Sequence, residues 1–190
     1  AIPERIRLAD PVGRVLFAGD CGGMFLCTGF LFSPDGKFMT NAHCANSAKE
    51  SRSMEVWFNY NGGGASCTLP DRPNPDRFRS KKFLQKHCAL DFAVHLLDDR
   101  LIGNPASIYG YLPLSIREPT GGEPLWLPQH PNGREKEIAE VSAAVTTPVL
   151  EGVRFCEDKR RCRAALGTPT GALSEFGYTA DTEPGSSGAP

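Results

Sequence analysis

The sequence predicts an all-β fold, a sandwich or barrel of short antiparallel strands. Three observations lead there. Short apolar or alternating runs recur along the chain at modest spacing. Glycine (20) and proline (16) are frequent and scattered, and they cut those runs apart. Helical periodicity is almost absent.

The elements follow in order. Val12–Ala18 is a short, mostly apolar run and reads as the first strand. Residues 24–32 form a second, more apolar strand, closed by the turn sequence Ser33-Pro34-Asp35-Gly36. Residues 38–42 and 54–60 are the next two strands, and the glycine-rich residues 61–64 end the latter. Residues 71–82 mix proline with Arg, Lys and Asp and are expected to form a solvated surface loop. Residues 92–97 resume a buried strand. Residues 100–119 carry turn residues without alternation and are expected to link two β units. After the breaker at 119–122, residues 125–128 and 138–145 read as strands. Residues 157–163 are expected to form a charged loop closed by Cys156 and Cys162.

Composition narrows the function. Hydrophobic residues make up 40% and charged residues 23%, as in ordinary globular chains. A formal net charge of -1 offers no basic excess, so a nucleic acid partner is not expected. No apolar run approaches the ~20 residues that span a bilayer. The opening residues lack the apolar stretch of a signal peptide, so an exported protein would already have lost its leader. Seven cysteines are many for a cytosolic chain and predict disulfides in an oxidising compartment. The spacings Cys21-x5-Cys27 and Cys156-x5-Cys162 contain no tight metal-binding pair, so no metal and no other cofactor is expected. A monomer is expected.

Three short words carry chemistry: Thr40-Asn41-Ala42-His43-Cys44, Asp91-Phe92-Ala93-Val94 and Gly185-Ser186-Ser187-Gly188-Ala189-Pro190. A serine hydroxyl is a poor nucleophile at neutral pH. It needs a histidine to take its proton and an acid to hold that histidine's tautomer. His43 ends an apolar strand, and a Cys27–Cys44 bridge would staple the two strands that present it. Asp91 opens a buried strand, where an acid is costly unless hydrogen bonded. Glycines on both sides of the serines let the backbone approach a substrate and let N–H groups converge. Taken singly, each has a plain structural alternative: a half-buried histidine, a strand-start acid, a surface Gly/Ser loop.

In combination, from about Val12 to Pro190, the chain resembles the chymotrypsin/trypsin-like serine peptidase family. The first word is similar to the family's TAAHC, the second to its DIAL and the third to its GDSGGP. The resemblance implies two antiparallel six-stranded β-barrels, residues 1–110 and 111–190. His43 and Asp91 come from the first, and Ser187 from the second. It implies a serine endopeptidase acting on protein or peptide substrates through an acyl-enzyme. The N–H groups of Gly185 and Ser187 would form the oxyanion hole. Cys27 and Cys44 match the family's disulfide around the histidine.

Departures refine the resemblance. Ser186 stands where the animal enzymes have an aspartate that pairs with a newly cleaved N-terminal amine, so that activation switch is expected to be absent. Gln129-His130-Pro131-Asn132-Gly133 is similar to the HHPxG stretch of bacterial-type, lysyl-endopeptidase-like secreted relatives. The family continues past the position of Pro190, so the chain is expected to be a fragment, with its second barrel incomplete and little activity alone. Cys21 is then the odd cysteine, and Cys67–Cys88 and Cys156–Cys162 are the remaining pairs. Asp181, six residues before Ser187, stands where trypsin-like relatives keep a carboxylate that selects Lys or Arg. The alternative is that it braces its loop. His130 is expected to serve packing. A non-catalytic binding module on the same fold is the competing class; retention of all three triad residues favours the enzyme.

Overall fold

A computed structural model describes residues 2–19, 22–61, 75–88, 90–117, 124–141, 144–145, 177–178 and 181–190. The frame is a closed barrel of six strands: β1 Val12–Ala18, β2 Met24–Leu31, β3 Lys37–Thr40, β4 Glu55–Phe58, β5 Asp76–His87 and β6 Phe92–Leu97. Around the barrel the order is β1-β2-β3-β6-β5-β4, with β4 closing on β1 through pairs such as Val15 opposite Val56. Every pairing is antiparallel. Alternation explains the closure: Val15, Phe17, Cys27, Leu31, Phe38, Val56, Phe58, Phe78 and Leu97 point inward into one core. Burying each large apolar side chain contributes roughly 1.5–3 kcal/mol relative to exposure.

The tract expected to be a surface loop is in part a strand. From residue 76 onward β5 runs between β4 and β6, with irregular register between Ser80 and Lys82 and between Phe83 and Gln85. Its arginines and lysines face solvent while Phe78 plugs the core. One buried side chain among many charges is a weak signal; the two neighbouring strands supply the ladder that makes it a strand.

Short helices also occur, against the expectation from periodicity. They are α1 Ile2–Leu8, α2 Ala48–Ser53 and α3 Pro105–Tyr109. Ser47 caps α2 by accepting from the Glu50 N–H, while the buried Glu50 carboxylate accepts from the Asn46 N–H. Helix α3 lies in the stretch expected to be a linker. Asn104 caps it and Pro105 occupies its first turn. Its Tyr109 stacks on Phe58 at 4.6 Å between ring centres and donates its hydroxyl hydrogen to Asp76. Residues 105–109 therefore pack onto the barrel core through Tyr109.

The second barrel is not shown. Among the described residues, the C-terminal half contributes the hairpin of β7 Leu125–Gln129 with β8 Glu137–Val141. It adds the two-residue pair β9 Ala144–Val145 with β10 Gly177–Tyr178. Cys21, Cys67, Cys156, Cys162 and the loop at 157–163 lie outside the described residues. No helix among the described residues is long and apolar enough to cross a membrane.

Candidate active site

His43 lies three residues past the end of β3, and Asp91 immediately precedes β6. These two strands pair side by side, Thr40 opposite Ala93, so the two residues meet at one rim of the barrel. Asp91 has a positive φ of 49°, a turn conformation that Asp tolerates better than most residues. That turn is held from the other strand. The Asp91 carbonyl accepts from the Ala42 N–H at 3.1 Å and from the Asn41 side-chain amide at 2.7 Å.

The Asp91 carboxylate is then used at both oxygens. Oδ1 accepts from the backbone N–H of His43 at 2.9 Å, and Oδ2 lies 2.6 Å from His43 Nδ1. A carboxylate oxygen beside Nδ1 places the ring proton there and leaves Nε2 as the basic nitrogen. His43 and Asp91 side chains are 13% and 19% exposed, so the pair is shielded yet reachable from solvent. Behind it, Cys44 is bonded to Cys27 of β2 and tethers the histidine's turn to the barrel wall.

Ser187 arrives from 143 residues further along the chain than Cys44, and its carbonyl oxygen lies 3.9 Å from Cys44 Sγ. The Thr28 N–H donates to that same carbonyl at 2.8 Å. Gly188 takes φ +90° against β2 and β3: a Cβ there would sit 2.2 Å from the Thr28 carbonyl oxygen. Gly185, at φ +97°, is also close-packed, though less so: a Cβ there would sit 2.9 Å from the His130 carbonyl oxygen and 3.0 Å from the Gly133 nitrogen. Among the described residues, the N–H groups of Gly185 and Ser187 donate to no protein acceptor. Ser186 is buried; its N–H donates to the Glu183 carbonyl and its hydroxyl accepts from the Glu183 N–H. Its polar groups are thus met within the turn. A cavity of about 320 Å³ lies against this turn, lined by Asn41, Thr182, Glu183 and residues 186–189.

Residues 27–190 match the family described as the trypsin-like peptidase domain. The chain belongs to that family. A secreted RxLR effector protein 73 of Plasmopara viticola is 29% identical over 97% of this chain, and this chain spans 42% of that protein's length. Among solved structures, the thermostable serine protease AL20 from an extremophilic microorganism is 16% identical with a TM-score of 0.63. The alignment covers 97% of this chain and 78% of that one. The active form of the Rv3671c protease of M. tuberculosis is 18% identical with a TM-score of 0.56, over 97% of this chain and 66% of that one. The protease Anisep of Arthrobacter nicotinovorans is 15% identical with a TM-score of 0.56, over 73% and 66% of the two chains. These likenesses are likenesses of fold.

Against that trypsin-like frame the other candidates sort themselves. The Asp181 side chain is exposed and is not among the residues lining the cavity; its backbone carbonyl is fixed by the Gln129 amide at 2.7 Å. His130 is fully buried, stacked on Tyr60, with Nδ1 3.0 Å from the Arg134 carbonyl. Burial lowers its pKa to about 3, so it is neutral. His95 is likewise buried between Ser51 and the Ala45 carbonyl, and desolvation lowers its pKa to about 4. Cys88 is disulfide-bonded, and its expected partner Cys67 lies outside the described residues. Among the described residues no cluster of His, Cys, Asp and Glu is placed to hold a metal ion. Sequence reading missed Thr28 and Asn41. Their signal was a polar residue next to Cys27 in an otherwise apolar strand, and an amide two residues before His43.

Proposed function

We propose that this chain is the peptidase domain of a secreted serine endopeptidase acting on protein or peptide substrates. The observation that carries the reading is Asp91 holding both the Nδ1 and the backbone N–H of His43. That geometry leaves Nε2 as a base, and the turn bearing Ser187 is anchored beside the disulfide of the next residue, Cys44. Ser187 Oγ attacks the scissile carbonyl carbon while His43 Nε2 takes its proton. The tetrahedral oxyanion accepts from the N–H groups of Gly185 and Ser187. As the C–N bond breaks, His43 returns the proton to the leaving amine, and an ester joins Ser187 to the acyl half. Water then attacks that ester, with His43 again as base, and releases the acid. No metal or organic cofactor enters these steps.

Selection of Lys or Arg before the scissile bond is proposed for Asp181 from its place six residues before Ser187; the Gln129 bond to its backbone carbonyl fits the loop-bracing alternative equally well. The sequence Gln129-His130-Pro131-Asn132-Gly133 supports a bacterial-type, lysyl-endopeptidase-like branch. The Cys27–Cys44 bridge and the secreted relative support export. The enzyme is assigned as a monomer. Because the chain spans 42% of that relative, the activity is proposed for the full-length protein. The test is labelling by a serine-directed phosphonate. The adduct is expected on the peptide containing Ser187 and is expected to vanish in Ser187→Ala; undiminished labelling of that variant would refute the assignment.

A further inference from the structure

We propose that the side chain of Thr28 is a positioning residue for the nucleophile turn. It locks the loop before Ser187 onto both the first barrel and the β7–β8 turn. The inference rests on the catalytic reading above and deepens it. Thr28 lies in β2, next to the disulfide-bonded Cys27, and is completely buried. Its hydroxyl is used twice. Oγ1 donates to the Gly185 carbonyl at 2.8 Å and accepts from the His130 N–H at 3.0 Å. Its main chain is used twice as well: the N–H donates to the Ser187 carbonyl at 2.8 Å, and the carbonyl accepts from Thr40 Oγ1 at 2.7 Å.

One residue thus grips the carbonyls of Gly185 and Ser187, the two residues whose N–H groups are assigned to the oxyanion. It joins them to β3, which leads into His43, and to the loop at residues 130–133. That loop completes the grip, because the Asn132 N–H donates to the Pro184 carbonyl. The peptide planes on either side of Gly185 are therefore each fixed through their carbonyls. With the Pro184 carbonyl turned toward Asn132, the Gly185 N–H on the other side of that plane is turned away from it. Hydrogen-bond donors preset toward a developing charge need no reorganisation during reaction, and misplacement of about 1 Å can cost on the order of 100-fold. A buried hydroxyl with two partners cannot turn to water as a replacement, so its removal leaves the Gly185 carbonyl and the His130 N–H both unsatisfied.

The test compares Thr28→Val, which keeps the shape and removes the hydroxyl, with Thr28→Ser, which keeps the hydroxyl, in the full-length protein. Two readouts are taken: the second-order rate of phosphonate labelling at Ser187, and amide hydrogen exchange of the peptide covering residues 183–190. The proposal expects Thr28→Val to label about 10- to 100-fold more slowly, with KM for a peptide substrate changed by less than about threefold. It also expects faster exchange confined to residues 183–190 and rescue of both readouts by Thr28→Ser. Unchanged labelling and exchange in Thr28→Val would overturn it. If Thr28→Val does not fold, Thr28→Ser decides: parent-like rate and exchange support the role of the hydroxyl, and a folded serine variant with a lost rate overturns it. A parent protein not labelled at Ser187 would instead overturn the catalytic reading, with the exchange comparison still deciding whether Thr28 holds the turn.

Discussion

At the scale of single residues, the candidate site depends on how Asp91 spends its two oxygens. Oδ1 holds the His43 main chain and Oδ2 faces Nδ1. In Asp91→Asn the amide must place one NH₂ and one oxygen in those positions. Keeping the bond from the His43 N–H requires the oxygen at the Oδ1 position, which turns the NH₂ toward Nδ1. The imidazole then carries its proton on Nε2 and cannot act as base. The variant is expected to fold normally and to lose on the order of 10⁴-fold in kcat near neutral pH, the size of loss that a wrong tautomer produces in triads of this kind. Steady-state kinetics beside a thermal melt checks both halves of that expectation. These residues were legible in the sequence because their chemistry is carried by residue type and short spacing. Thr28 was not, since its role exists only once residues 185 and 187 have been folded back onto β2.

At the scale of elements, the turn at residues 185–188 is a graft onto the rim formed by β2 and β3. Gly188 shows how tight the graft is. An added Cβ would meet the Thr28 carbonyl oxygen at 2.2 Å and Thr40 Oγ1 at 2.5 Å, at a φ of +90° that side chains rarely adopt. Gly188→Ala must push the turn off the barrel. It is expected to lower kcat on the order of 100-fold while the melting temperature falls by only a few degrees. An alanine variant with parental kcat would show that the turn tolerates displacement. The elements themselves were unevenly legible. β1 to β4 and β6 announce themselves by apolar runs between breakers. β5 does not, because its charges face solvent and few inward residues mark it. Helix α3 hides in a segment of turn residues and owes its place to Tyr109, whose stacking on Phe58 is a tertiary contact.

At the scale of the whole molecule, two neutral histidines are buried, His95 in the barrel and His130 just after β7, and this ties stability to pH. Burial lowers the His95 pKa from 6.5 to about 4. Above about pH 6.5 both folded and unfolded chains hold it neutral. As pH falls from there toward 4, the unfolded chain takes up a proton that the folded chain refuses, so stability is lost across that window. His130, lowered to about 3, acts in the same direction and extends the window downward. Unfolding free energy measured by denaturant is expected to fall from pH 6.5 to 4, and His95→Gln is expected to lessen the slope by about one proton. An identical slope in that variant would show that His95 does not set the pH dependence.

His43, Asp91 and Ser187 are proposed to act as one unit, although two come from the barrel and the third from a distant turn. Residues that act as a unit give non-additive losses. The most direct measurement is kcat/KM of full-length Ser187→Ala, His43→Ala and the double variant on one peptide substrate. If the triad acts as a unit, the double variant is no slower than Ser187→Ala alone. A loss in the double variant equal to the product of the two single losses would contradict it.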